Sequence, residues 1–384
     1  MQSIIKLLQI FGFWTQPYQG HNLRKPLFHM SMYIIWLLGP GIIHIVRQRS
    51  NFASITRAAI ESIGFINGIL LSTNMIIHRS LLERTYGAVR SVMQSIASDL
   101  SKDVQSTVKL LETSTDLFFK IYIGFQAIVG IAYTLSNPVL TLIDYLQIGV
   151  LPPLQGIFEA DFLFFEFSST VWLWLLLIVI CGLTIFDLII VLVSVNSLNW
   201  SLIHHVTGLF KLVCIKISRL DELSDERARH KELVDIVRLQ EITYRSARAM
   251  EEALNVYLLI QFSTCVIAIC MTMITLTMAR DDRDLLIKMS LMLAFVLFHI
   301  FVYSMLGTEL MFASTSVADA VYCTNWYQWS VSEQRNILFM LRRSQLMTSL
   351  TTGKFFELSR STFGMTLQAA MSHFTVVRQI YDSQ

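Results

Sequence analysis

Few residues in this 384-residue sequence are spaced for bond-making chemistry. It contains no His-Glu-x-x-His pair, no phosphate-cradling glycine loop, no Gly-x-Ser-x-Gly elbow and no paired Cys-x-x-Cys. His204 and His205 are adjacent, so on a helix they diverge by about 100° and cannot clasp one metal; solvated imidazoles are expected. Two ionisable groups fall inside apolar stretches, where such groups are functional candidates. His299 is expected to satisfy an interhelical partner, and Asp187 to serve as a structural cap or anchor pair rather than an ion site. Neither an enzyme activity nor a cofactor, metal or nucleic-acid partner is expected.

The elements that carry these residues are membrane helices. Hydrophobic residues make up 54% of the chain and charged ones 15%, against about 45–50% and about 25% in soluble proteins, and mean hydropathy is +0.54. Apolar runs of about twenty residues can cross a hydrocarbon core of about 30 Å. Seven are present: Pro26–Val46, Ala58–His78, Leu117–Leu140, Ser168–Asn196, Val256–Ala279, Leu285–Gly307 and Phe355–Tyr381. The fold class is therefore an all-α membrane protein of seven transmembrane helices, one domain over 1–384. Residues 1–25 lack a signal-peptide core, and their spacing predicts an interfacial amphipathic helix with Trp14 and Tyr18 at headgroup level.

The connections set the orientation. Lys and Arg number 22 on the N-terminal side and 7 on the other, with Arg360 inside the seventh segment. The positive-inside rule puts the N-terminus in the cytosol and the C-terminus outside. The five cysteines fall in spans (Cys181, Cys265, Cys270) or cytosolic segments (Cys214, Cys323), leaving none for an exterior disulfide, and the sequon at Asn199 lies at the cytosolic end of span four. A G-protein-coupled-type receptor is the alternative that seven spans suggest. It conflicts with the inverted orientation, the missing exterior cysteine pair, the lack of an acidic-Arg-Tyr triplet after span three and the lack of Asn-Pro-x-x-Tyr in span seven. A transporter, a third reading, would be expected to show paired broken helices, which the two halves lack.

Two connections are built to fold. Ser136–Phe167 has no Lys or Arg, four acids (Asp144, Glu159, Asp161, Glu166) and many apolar groups (Tyr145, Leu146, Phe158, Phe162, Phe164, Phe165). It is expected to lie over the bundle as a lid, either a packed cap or a gate. Residues 198–255 and 308–354 carry apolar positions at helical spacing, among them Leu233, Ile236, Val237, Leu239, Val317, Val321, Tyr322, Ile337, Leu338 and Met340. They predict a cytosolic helical layer suited to subunit contacts, or else ordinary solvated helices on a monomer.

The seventh segment is the most specific. It runs Gly353-Lys354-Phe355-Phe356-Glu357-Leu358-Ser359, continues through Phe363 and Leu367, and reaches Ser372-His373-Phe374-Thr375-Val376-Val377-Arg378-Gln379-Ile380. With Tyr322-x-x-Asn325-Trp326, the length and the inverted topology, this resembles the insect odorant receptor family. The related insect gustatory receptors, an alternative channel reading, end in Thr-Tyr and Gln-Phe where this chain has Ser372-His373 and Gln379-Ile380. The chain is shorter in its second cytosolic loop than the family's co-receptor and looks like a ligand-tuning subunit.

The resemblance implies a subunit that forms, with that co-receptor, a heteromeric tetramer. Such a tetramer is an odorant-gated, non-selective cation channel in the plasma membrane of olfactory sensory neurons. It implies a pore wall over 355–381, with the gate at Val376, Gln379 and Ile380. Val376 and Ile380 are four apart and share a helix face. The implied ligand is a small volatile apolar molecule in the outer half of the bundle, near Phe65, Gly68, Ile69, Ser72, Ala127, Gly130, Ile131, Thr134, Ser168, Trp172, Leu175, Met289 and Leu293. Membrane lipid surrounds the whole.

Overall fold

In the computed structural model the described residues are 2–15, 23–48, 52–97, 102–149, 154–163, 170–278 and 283–382. Nearly all are helical: α1 (Gln2–Ile10), α2 (Arg24–Tyr33), a π-helical segment (Ile34–Leu38), α3 (Gly39–Arg47), α4 (Phe52–Ile77), α5 (Arg79–Ala97), α6 (Lys102–Ile148), α7 (Val171–Ser218), α8 (Glu226–Met278), α9 (Arg283–Tyr322), α10 (Val331–Ser344) and α11 (Arg360–Asp382). A two-residue hairpin, β1 (Thr351–Thr352) against β2 (Phe356–Glu357), precedes α11. Among the described residues six helical stretches are long and apolar enough to span a membrane: 24–47 and those built on α4, α6, α7, α8 and α9.

Several of these helices outrun a bilayer. At 1.5 Å per residue, α7 with 48 residues and α8 with 53 reach about 70–80 Å, more than twice the hydrocarbon thickness. Their excess forms the predicted layer beyond the membrane, where Leu233, Ile236, Leu239, Val317, Val321, Ile337 and Met340 are buried. Val237, Tyr322 and Leu338 are exposed instead; helical spacing alone overestimates the width of the packed stripe. In this layer Ser330 and Glu333 form a capping box at the start of α10. Arg229 of α8 donates twice to the Glu333 carboxylate, at 3.3 Å each. Burial alone would push the Glu333 carboxyl up, but the bonds from Arg229 and Ser330 outweigh it and hold it below the ordinary range.

The first span is not a plain α-helix. Pro40 has no N–H to return to the carbonyl of Trp36, four residues back, and the helix widens to π geometry over Ile34–Leu38 just ahead of it. Cys181 Sγ of α7 approaches the Trp36 carbonyl at 3.8 Å. In the N-terminal segment the apolar face of α1 packs on α7, with Ile4 and Leu8 fully buried, and Trp14 meets Tyr86 edge-on at 5.7 Å. Tyr18 lies outside the described residues.

Span seven begins later than its sequence suggests. Phe355 to Leu358 belong to the hairpin, so Glu357 lies ahead of the helix and Arg360 is its first residue. Gly353 and Lys354 make the turn with φ of 60° and 65°. Glycine adopts that region freely, and Lys354 is the one non-glycine residue with positive φ among those described.

Candidate functional site

At one end of the bundle a second core forms apart from the main one. It joins Tyr33, Leu37, Phe65, Ile157, Phe158, Cys181, Ile185 and Leu188, with Ile69, Tyr133 and Phe162 half-buried against it. Residues 154–163 supply the cap: Phe158 meets Phe65 edge-on at 5.4 Å, and Trp174 Nε1 donates to the Gln155 carbonyl at 2.9 Å. The predicted lid is thus real in its middle part. Its beginning is not a loop, because α6 runs on through Pro138 to Ile148 and leaves Tyr145 and Leu146 exposed on a helix. Phe164, Phe165 and Glu166 lie outside the described residues.

The cap is latched by charge. Glu61 of α4, with a side chain only 3% exposed, accepts from Tyr133 Oη at 2.6 Å and from the Glu159 backbone N–H at 3.0 Å. Arg57 lies 3.5 Å from Glu61 and 3.4 Å from Glu159, and His44 lies 3.5 Å from Glu159. Arg47 grips both oxygens of Asp161 at 3.0–3.1 Å. Glu61→Gln keeps the shape but gives up the charge that holds Tyr133, Glu159 and Arg57. It is expected to cost about 1–3 kcal/mol and to expose the cap to limited proteolysis, whereas Arg47→Gln, at an exposed pair, should leave the digestion pattern nearly unchanged.

The sequence-derived ligand residues divide. Phe65 and Ile69 belong to the capped core. Gly68, Gly130 and Thr134 adjoin it: a Cβ on Gly68 would meet Leu188 at 2.8 Å, one on Gly130 would meet Ile189 at 2.9 Å, and Thr134 lies against Gly182. Ser72 and Met289 are buried elsewhere in the bundle, and Leu293 packs on the main core. Ala127, Ile131, Trp172 and Leu175 are exposed on the outer surface, Trp172 at 83%, and do not join the others. Ser168 lies outside the described residues. Rotation of each residue about its helix axis was not readable from sequence.

Other features were anticipated in kind. Asp187 is an anchor: its carboxylate accepts from Tyr33 Oη at 2.6 Å and lies 2.8 Å from His29 Nδ1. The histidines are corrected. His205 is buried, with Nδ1 2.7 Å from the Ser201 carbonyl, and His204 Nε2 lies 3.0 Å from Ser114 Oγ. His299 is ringed by Tyr122, Trp200, Phe295 and Tyr303, with no hydrogen-bond partner for either ring nitrogen among the described residues. Beside it Asn196 Oδ1 accepts from Tyr257 at 2.6 Å and Tyr303 at 2.9 Å. The polar run Asn196-Ser197-Leu198-Asn199 was the available signal for this cluster.

The gate candidates lie on α11. Thr362, Thr366, Ala370 and Phe374 are buried at four-residue spacing, while Val376 and Gln379 are exposed; the Ile380 side chain lies outside the described set. The hairpin ties the start of the helix to its neighbours. Thr351 donates twice to Glu251 of α8, once from its N–H at 2.8 Å, and Gly353 N–H donates to the Asn255 carbonyl at 2.9 Å. Arg360 N–H donates to Thr308 Oγ1 of α9 at 2.9 Å.

A family model described as "7tm Odorant receptor" matches residues 51–371. The chain is 27% identical over 175 residues to odorant receptor 85b of Drosophila melanogaster, covering 43% of this chain and 45% of that one. It is 30% identical over 81 residues to the odorant receptor coreceptor of Ooceraea biroi, covering 21% and 17%. The chain thus spans less than half the length of these curated relatives in the matched stretch. The fold is similar to that of the insect olfactory receptor OR5 from Machilis hrabei, solved alone and with eugenol, at TM-score 0.82 and 17% identity over 99% of this chain and 97% of that one.

Proposed function

Because this chain belongs to the 7tm odorant receptor family, we propose that it is a ligand-tuning subunit that forms, with a co-receptor, an odorant-gated non-selective cation channel. The observation that carries the reading is α11. With 23 residues it is about 35 Å long, enough to cross a bilayer, yet it is not among the six apolar spans. Its inner stripe is buried, while Gln368, Ser372, His373, Thr375, Arg378 and Gln379 are exposed beside only three large apolar residues among those described, Met365, Met371 and Val376. A polar face is costly against lipid and suited to a water-filled pore shared between subunits. The N-terminus is cytosolic in this reading, and the site of action is the plasma membrane of olfactory sensory neurons.

The ligand is a small, mostly apolar volatile held beneath the cap around Phe65, Ile69 and Phe158. The eugenol found with OR5 is of that chemical class. Phe65→Ala and Phe158→Ala are expected to raise the half-maximal agonist concentration about tenfold, the loss of about 1.4 kcal/mol of ring contact. Concentration–response curves at matched surface expression check this. The role itself is tested by whole-cell recording with and without an odorant receptor coreceptor. Agonist-evoked cation current requiring the coreceptor is expected. Surface-expressed protein that gives no current with either arrangement across a broad volatile panel, or an N-terminal tag reached from outside, would overturn it.

A further inference from the structure

A cavity of about 560 Å³ lies between α6, α7 and α9, at the end of the bundle opposite the cap, with Ile4 of α1 at its edge. Its lining changes polarity along the helix axes. Down α9 the lining residues are Phe301 and Val302, then Met305 and Leu306, then Thr308 and Glu309, with the exposed Phe312 one turn further at the rim. Along α6, which runs the other way, Phe118 and Phe119 give way to Thr115 and Ser114. Toward the end where α11 begins, Ser114, Thr115, His204, Thr308 and Glu309 gather around Arg360, and of the α9 lining only Phe312 lies beyond them. There Glu309 is neutralised by Lys211 at 2.5 Å and His204 pairs with Ser114. The rings of Phe118, Phe301 and Phe312 are 46–66% exposed, so the cavity opens sideways. On its inner wall the buried Ser197 Oγ has no hydrogen-bond partner among the described residues.

We propose that this cavity holds an anionic glycerophospholipid of the cytosolic leaflet. One acyl chain lies along Phe119 and Val302, an ester carbonyl accepts from Ser197, and the phosphate sits at Arg360. The polarity gradient is the one such a lipid has, with its tail toward the midplane and its head at the surface. Arginine suits phosphate by its planar, bidentate donor geometry. The assignment of the leaflet rests on the cytosolic N-terminus proposed above. An occupant there touches Thr308 and Arg360, the pair that fixes the first residue of α11, and Phe301, whose ring lies 5.7 Å from that of Phe363. Lipid occupancy therefore bears on the helix proposed to line the pore.

The test is thermal unfolding of the full-length chain in detergent, with added dioleoyl phosphatidylserine or dioleoyl phosphatidylcholine. Phosphatidylserine is expected to raise the melting temperature by about 2–4 °C and phosphatidylcholine by less than half of that. Arg360→Gln should reduce the phosphatidylserine shift to the phosphatidylcholine level. Val302→Phe and Thr115→Leu, which fill the cavity from different helices, should each remove both shifts, so that if one variant fails to fold the other still decides. Equal shifts by the two lipids in the parent chain, or an undiminished preference in Arg360→Gln, would overturn the proposal. The readout is binding without current, so a chain that holds lipid this way yet never conducts defeats the channel reading alone.

Discussion

Gly307→Val is expected to reduce agonist-evoked current to less than about a tenth of the parent at equal agonist and expression, the largest loss foreseen for any single residue outside the ligand site. A Cβ at Gly307 of α9 would collide with the Leu358 carbonyl oxygen, and the Leu358 side chain would lie 2.7 Å away. Neither can retreat. Leu358 is fully buried and its N–H donates to the Leu350 carbonyl at 2.7 Å, closing the hairpin whose other end is bonded to Glu251 and Asn255. Overpacking against fixed backbone costs about 3 kcal/mol or more, and the strain is relieved by moving the hairpin and, with it, the start of α11. Surface biotinylation separates this from failure to reach the membrane. Gly87→Ala is the control, since nothing lies within 4 Å of a Cβ there; it should conduct normally. Parent-like current from surface-expressed Gly307→Val would show that the hairpin does not position α11.

That close approach illustrates what sequence could and could not supply. Apolar run length located six spans and their helical continuations, because burial in lipid and burial in a helical layer both demand it. The hairpin was read as the start of span seven since Phe355-Phe356 and Leu358 look like a membrane entry. The left-handed turn at Gly353-Lys354 and the bonds to α8 decide otherwise, and both are tertiary facts. The π segment before Pro40 had a local cause and was readable in principle. The cluster of Asn196, Tyr257, Tyr303 and His299 draws its members from three helices, so no window of sequence contains it. Among the ligand candidates, Phe65 and Ile69 share a face because they are four apart, whereas Trp172 and Ile131 were chosen by depth and turn outward. Charge pairing followed the same pattern: acids in the lid were visible, but their partners Arg57, His44 and Arg47 came from helices remote in sequence.

The second large effect concerns the gate. Val376→Ser is expected to produce cation current without agonist, amounting to about a tenth or more of the parent's maximal response. Phe374 ends the buried stripe of α11, and Val376, two residues on, projects about 200° away from it. Val376 is 56% exposed in the single chain, which leaves it free to face the proposed pore. With subunits arranged about a common axis, a ring of such residues closes the path by excluding water, not by filling it with charge, and a hydroxyl in the ring lowers the cost of wetting. Ile128→Ser, at a still more exposed position but on α6, faces lipid in the proposed arrangement and should add no basal current. Val376→Cys gives an independent readout: a cationic methanethiosulfonate applied from outside should block agonist-evoked current progressively, while the parent, whose five cysteines are its background, stays unaffected. If Val376→Ser stays silent without agonist and Val376→Cys is untouched by the reagent while the channel is open, Val376 is not in the permeation path. The wall must then be sought on another face of α11.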